Sequence, residues 1–335
     1  MNLHHIFHLA LMAIVFSSAG QAAEPPAPLK ASLVECNRIW SEAPHNAFTS
    51  LIRWRNRWYC AFREGAGHVS RRGQLRIITS ADGKEWQSAA VLTDPVYDLR
   101  DANLSVTPDN KLMMVGGAQI SQDGKLPTGT FVAFSEDGTT WSKPELVLPV
   151  GRWMWGVTWH KDTAWGVSYA TPSERGVNSL LTSTDGQRFD VFVKDFFVSD
   201  SYPTEARLRF GSDGKCYCLQ RCDGQPNHAY LGSAAAPFKE WRWEPLDRFI
   251  GGPNLLELPN GRWIAAGRIF DGNKPKTALM ELAVESAKVV PILDLPSGGD
   301  CSYPGLVWHN DQLWMSYYSS HEGKTSIYLA VVDLQ

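Results

Sequence analysis

The chain has 335 residues, 32 Lys and Arg against 35 Asp and Glu, and 44% hydrophobic residues. A net charge of −3 leaves no polyanion-binding footprint and excludes nucleic acid as an expected partner. The length suffices for one large core or two modest ones. Fourteen tryptophans serve sheet packing and sugar stacking equally well and decide nothing alone.

Residues 1–23 contain no Lys, Arg, Asp or Glu. The apolar run Leu9 to Phe16 leads into SSAGQAA, with Gly20 and Ala22 placed for cleavage before Glu24. This pattern resembles a secretory signal peptide and implies export to a periplasm or the medium. The run is too short to span a membrane, and no later stretch is a candidate span. No lipoprotein cysteine follows it, which disfavours a lipid anchor. Residues 24–30, with EPPAP, read as an extended linker, and 31–335 as one domain.

From residue 51 onward the chain repeats a unit of apolar strand, tight polar turn and apolar strand. The units are LIRWRNRWYCAF (51–62), LSVTPDNKLMMVGG (104–117), VTWHKDTAWGVSY (157–169), LRFGSDGKCYCLQR (208–221), LLELPNGRWIAAGR (255–268) and LVWHNDQLWMSYY (306–318). Their turns centre on Asn56, Asn110, Asp162, Asp213, Asn260 and Asp311, about fifty residues apart, and each reads as a β-hairpin. A second repeat runs between them: SADGKEW (80–86), SEDGTTW (135–141) and STDGQRF (183–189). Ser and Asp side chains bond nearby backbone N–H groups, Gly takes a positive φ, and the aromatic ring folds back over the turn. Asp82, Asp137 and Asp185 are therefore read as turn formers. No stretch after the leader has a helical period.

Six antiparallel units of about fifty residues predict an all-β, six-bladed β-propeller. The last hairpin is followed by one strand only, TSIYLAVV (325–332), so SLVECNRIW (32–40) is expected to complete that blade and close the ring. The six cysteines read as buried free thiols. Cys216 and Cys218 share one strand face, and the spacing to Cys222 is a poor metal signal without a nearby His. No metal or other cofactor is expected.

Hairpin topology places the start of each first strand and the end of each second strand on one rim. That rim gathers His45, Asn46, Arg63, Glu64 and His68 from the first blade, and Asp98, Arg100, Asp101 and Gln119 from the second. Arg152, Trp153, Trp155 and Tyr169 come from the third, and Tyr202, Glu205, Arg221 and Asp223 from the fourth. The fifth adds Asn254, Arg268 and Asp271; the sixth adds Asp300, Tyr303, His321, Glu322 and Lys324. Arginine forks suit a carboxylate ligand, and carboxylates with Tyr suit glycosidic chemistry.

These residues resemble the sialidase superfamily of glycoside hydrolases over nearly all of the chain after the leader. The three Ser-x-Asp-Gly-x-x-aromatic turns resemble its Asp-box, or BNR, repeats. AFREG (61–65), RDANLSV (100–106), PTEARLRFGSDGKCYCLQR (203–221) and CSYPGLVWHNDQLWMSYY (301–318) resemble its site segments. The resemblance implies Tyr303 as nucleophile, Glu205 as its base and Arg221 as a carboxylate-binding arginine, with Arg63 and Arg268 as partners. Glu64 or His68 would protonate the leaving oxygen and Asp101 would orient it. Trp153 and Trp155 would wall the sugar, with Arg100 and His321 nearby. The family's first-strand Arg-Ile-Pro is absent: NAFTSL (46–51) has Ala47 where the arginine belongs. The loop GAGHVSRRGQLRI (65–77) lacks the family's acid/base Asp. The expected activity is removal of a terminal acidic sugar, sialic acid or a related ulosonic or uronic sugar, from a glycan. A lyase or hydrolase on another sugar, and a non-catalytic glycan-binding propeller, are the alternatives.

Overall fold

The computed structural model describes residues 27–119, 128–170 and 176–335. Every regular element among them is a strand, in six antiparallel sheets of four strands. The first strands of the sheets are His45–Trp54, Asp98–Val106, Arg152–His160, Pro203–Phe210, Gly251–Glu257 and Cys301–His309. Each contacts the first strand of the next sheet, and the last contacts the first, so they form a closed ring around a central channel. This is a six-bladed β-propeller. The expected leader lies outside the described residues, among which no helix is long and apolar enough to cross a membrane.

Ring closure follows the sequence expectation. Ala31–Trp40 pairs antiparallel with Ser326–Leu334 as the outer strand of the sixth blade, Ala31 opposite Leu334 and Trp40 opposite Ile327. The N- and C-terminal strands thus cover each other's open edges. The end of the expected linker is docked: Leu29 is buried and its N–H donates to Glu281 Oε2 at 3.0 Å. Lys30 and Gln335 exchange two backbone hydrogen bonds of 2.9 Å.

The three Ser-x-Asp-Gly turns join the third and fourth strands of blades one to three. Ser80 Oγ accepts from Gly83 N–H at 2.8 Å, and Asp82 Oδ1 accepts from the N–H groups of Lys84 and Glu85 at 2.9 and 3.2 Å. Trp86 closes the turn through its Nε1–H to the Gly83 carbonyl at 2.9 Å. Backbone donors hold all three aspartates below the usual carboxylate range. Each turn glycine has a positive φ and lies against the preceding blade. A Cβ on Gly83 would meet Trp314 of blade six, on Gly138 Tyr59 of blade one, and on Gly186 Met113 of blade two. The repeat therefore seals blade to blade.

Apolar clusters fill the spaces between blades, as alternation on both sheet faces requires. All six cysteines are free thiols, five of them buried.

One irregularity recurs in every blade. In the first strand two residues oppose one on the second strand, a β-bulge at the same level each time. The bulged pairs are Phe48-Thr49, Asp101-Ala102, Trp155-Gly156, Thr204-Glu205, Gly252-Pro253 and Tyr303-Pro304. Phe48, Asp101, Gly252 and Tyr303 have φ of 64°, 52°, 58° and 55°. For non-glycine residues this backbone is costly and is found where surrounding structure enforces it, commonly at functional sites. The bulges re-aim side chains onto the channel rim and so create the site.

Candidate active site

Tyr303 lies in the sixth bulge and Glu205 in the fourth. The Tyr303 hydroxyl donates to Glu205 Oε1 at 2.5 Å. Arg221, the residue opposite the fourth bulge, donates from Nη1 to Glu205 Oε2 at 2.8 Å and to Tyr303 Oη at 3.1 Å. The Gly252 N–H, from the fifth bulge, adds a donor to Glu205 Oε2 at 2.8 Å. Three neighbouring blades thus hold one phenol against one carboxylate. Asp223 orients the arginine, accepting from Arg221 Nε at 2.7 Å and from Thr204 Oγ1 at 3.1 Å.

Gly252 is needed at its position for two reasons. Its φ is positive, and a Cβ there would stand 2.6 Å from Tyr303 Cδ2. Phe48 and Trp155 clamp the phenol edge-on, with ring centroids 5.1 and 5.2 Å from that of Tyr303. Thr49 Oγ1 fixes the Tyr303 carbonyl at 2.7 Å.

The phenol holds its proton firmly. Burial and then Glu205 push the Tyr303 hydroxyl well above the ordinary tyrosine range, with Arg221 and Arg268 opposing. Burial also works against the charge on Arg221, but Glu205, Tyr303 and Asp223 together keep it firmly protonated.

Asp101, in the second bulge, is buried, and Arg100 Nε is 3.8 Å from its carboxylate. Burial raises its carboxyl to about 6; Arg100 opposes this, Glu205 adds to it, and Arg63 and His68 oppose it. Two carboxyl groups at the rim thus stand in different surroundings: Glu205 takes three donors, and Asp101, raised by burial, is poised to carry a proton near neutrality. Such divergence separates a general acid from its partner.

Asp300 anchors the other wall. Its Oδ2 is 2.9 Å from His45 Nε2 and 2.7 Å from His68 Nδ1, and its Oδ1 accepts from Tyr318 Oη at 2.8 Å. These partners overcome its burial and hold it ionised, well below the carboxylate range. The three atoms from His45, His68 and Asp300 lie within 4.8 Å of one another and have the donor types of a divalent-ion site. Hydrogen bonding alone accounts for their spacing. Arg268 donates to the Cys301 carbonyl at 2.7 and 2.9 Å and to Tyr318 Oη at 3.0 Å. Its guanidinium is 5.7 Å from the Tyr303 ring centroid. Among the described residues, Arg221 Nη2 and Arg268 Nη1 have no hydrogen-bond partner, which leaves each arginine one donor group for a ligand.

The structure thus brings together Tyr303, Glu205, Arg221, Arg268, Asp101, Trp155 and His68. Other expected site residues it places elsewhere. Arg63 is fully buried and spends its guanidinium on Asp98, the Gly67 carbonyl and Ser70, pinning the loop after the first hairpin; it is not available to a substrate. Glu64, its neighbour, points to the opposite sheet face. It accepts from Trp40 Nε1 at 2.7 Å, Gln74 Nε2 at 2.8 Å and Arg76 Nη2 at 2.9 Å, which corrects its expected role as acid. His321 bonds Ser319 Oγ at 2.9 Å and packs on Tyr328, away from the phenol. Trp153 stacks on Tyr169 and packs against Gly117, filling the space between blades two and three rather than walling a sugar. Arg100 lies over the Phe48 ring at 5.2 Å and donates to Gln119 at 3.2 Å, a support for the rim rather than a ligand donor. Phe48, Gly252 and Tyr318 were not expected. The bulges that aim Phe48 and Gly252 have no local sequence mark, whereas Tyr318 was within the sixth hairpin all along.

No family model and no curated protein matches the chain. Solved structures do. A protein of unknown function from Dyadobacter fermentans DSM 18053 has a TM-score of 0.81 at 19% identity, over 91% of this chain and 99% of that one. The Penicillium chrysogenum α-L-arabinanase complexed with arabinobiose has a TM-score of 0.71 at 14% identity, over 90% and 98%. The Trypanosoma rangeli sialidase in complex with the inhibitor DANA has a TM-score of 0.66 at 11% identity, over 90% of this chain and 59% of that one. The fold is that of the sialidase-like six-bladed propellers, and the chain spans about three-fifths of the sialidase's length.

Proposed function

We propose that this protein is a retaining glycoside hydrolase that removes a terminal sugar from a glycan, with Tyr303 as nucleophile. The observation that carries the reading is the 2.5 Å hydrogen bond from Tyr303 to Glu205, bridged by Arg221 at the channel rim. Its neighbours of known activity, an arabinanase and a sialidase, support a glycosidase.

Each step balances. Tyr303 Oη attacks the anomeric carbon while its proton passes to Glu205 Oε1. The glycosidic C–O bond breaks, its electron pair stays on the leaving oxygen, and the Asp101 proton goes to that oxygen. Water then gives a proton to the Asp101 carboxylate and attacks the same carbon. Tyr303 leaves and takes its proton back from Glu205. A protonated Asp101 in this role replaces Glu64, and His68 lines the wall through Asp300.

The preferred substrate is an acidic sugar. A neutral phenol avoids the repulsion that an attacking carboxylate would meet at an anomeric carbon bearing a carboxylate. Arg221 Nη2 and Arg268 Nη1 are the donor groups for the substrate acid. A second reading is a neutral sugar with Glu205 itself attacking. Two observations favour it: Ala47 stands where a third arginine would, and Glu205, Asp101, Asp223 and Asp300 already offset the pocket's arginines. Fluorophore release from 4-methylumbelliferyl glycosides tests both, with Tyr303→Phe as control. Turnover of a sialoside or uronide that vanishes in the variant supports the first reading; turnover of an arabinofuranoside alone supports the second. Binding without turnover of any acidic or neutral glycoside would sink both in favour of a lectin-like propeller.

Export to a periplasm or the medium is part of the proposal and rests on residues 1–23. Sequencing the N-terminus of the mature protein tests it; a start near Glu24 is expected, and retention of Met1 would contradict it.

A further inference from the structure

Below the bulges the six first strands enclose a second cavity, of about 220 Å³, lined from all six blades. On blade four the inward positions below Glu205 are Arg207 and Arg209, successive residues on one strand face. Both arginines line the cavity, and no Asp or Glu does. Among the described residues neither arginine has an ion pair. Arg207 is buried, with 9% of its surface exposed, and its one acceptor is the Asn103 amide oxygen. Its Nε is buried with no hydrogen-bond partner, and so is Ser105 Oγ on the cavity wall. Arg209 is satisfied only by neutral oxygens at 3.1 to 3.3 Å: the carbonyls of Leu255 and Leu208, Thr158 Oγ1 and Asn254 Oδ1. Buried cations without an anion are rare because desolvation of the charge goes uncompensated.

We propose that this lower channel is an anion site, in which Arg207, Arg209 and Ser105 hold one small inorganic anion, a halide or a tetrahedral oxyanion. The volume admits either together with water. The pull of burial on the two guanidiniums agrees: it lowers Arg207 to about 9, with Arg209 adding to the effect, and Arg209 to about 10. An anion would restore both. The site is distinct from the rim pocket, because Thr49 and Pro304 of the bulges form its roof and neither Glu205 nor Tyr303 lines it. Its filling would brace the first strands on which the rim residues stand.

Two measurements test it. Crystals of the whole chain soaked in sodium bromide or in sodium selenate should show, with one of the two, an anomalous peak between Arg207 and Arg209; peaks only elsewhere in both soaks would overturn the proposal. In parallel, melting is followed in sodium chloride, bromide, phosphate and sulfate at ionic strength matched with sodium gluconate. Wild type should gain about 2–4 °C per tenfold rise of the fitting anion above its Kd. Arg207→Gln should lose that gain while keeping the general salting-in or salting-out trend. The series that stabilises, halide or oxyanion, identifies the ligand. Equal gains in wild type and variant would overturn the proposal. If the variant fails to fold, the anomalous peaks from the two soaks decide.

Discussion

The two halves of the central channel are built on the same six strands and treat charge in opposite ways. On the rim, the two arginines beside Tyr303 each have an anion: Arg221 has Glu205 and Asp223, and Arg268 has Asp300. Two residues further along blade four, Arg207 and Arg209 have none. The rim is also where the backbone is strained, at Phe48, Asp101 and Tyr303, whereas those residues' lower neighbours return to regular pairing. Chemistry in this fold belongs where paired charge and strained backbone coincide. A self-satisfied, strained charge network is set to move protons between its own members. An unsatisfied, regular one is set to receive an ion.

The largest effects are expected where the network is cut. Tyr303→Phe and Glu205→Gln should each lower kcat/KM by about 10³-fold or more while leaving the fold intact, as circular dichroism and melting would show. If either variant kept most of the activity, the rim would be a binding site with no nucleophile.

Asp101→Asn should cost about 10²- to 10⁴-fold and remove the alkaline limb that wild type is expected to show near pH 6. Stability should move the other way. The folded-state pKa of Asp101 is raised above the unfolded value of about 3.9, so its contribution is fully present below that value and is lost as pH rises through about 6. The Asn variant should therefore be more stable than wild type at pH 8, by about 2–3 kcal/mol, and no more stable at pH 4. Equal stability differences at both values would mean Asp101 titrates normally.

Gly252→Ala probes the rim at its backbone. The added Cβ meets the Tyr303 ring, and the alanine must adopt the positive φ that glycine takes freely, so about 1–3 kcal/mol of stability and at least tenfold in kcat should be lost together. Unchanged kcat would show that the phenol's position is not critical. The smallest effect belongs to the turns. Ser80→Ala removes the acceptor for Gly83 N–H and should cost about 1 kcal/mol in denaturant melts with unchanged kcat. A loss of activity there would link the turns to the site.

The propeller was legible because its causes are local and periodic. Hairpin turns at Asn56, Asn110 and Asp311 and the Ser-x-Asp-Gly turns recur every fifty residues or so, and a count of strands leaves Ala31–Trp40 one place to go. Tyr303, Glu205 and Arg221 were legible because hairpin topology brings strand ends to one rim. Arg63 and Glu64 were misplaced because alternation alone cannot say which side chain a covering loop will capture; Asp98 and Ser70 took Arg63. The role of Asp101 could not be read from its neighbours in sequence, since its carboxyl is raised by burial. Arg207 and Arg209 alternate plainly in PTEARLRF, but their meaning depends on the absence of a facing carboxylate, which only the assembled ring reveals.

The proposed reaction turns on Tyr303, which passes its proton to Glu205 and forms the bond to the sugar. The direct measurement is peptide mapping by mass spectrometry after brief reaction with an activated fluorinated glycoside of the class that the 4-methylumbelliferyl panel identifies as substrate. A glycosyl adduct is expected on the peptide containing Tyr303, and none in Tyr303→Phe. An adduct on Glu205, or turnover with inversion and no adduct, would contradict it.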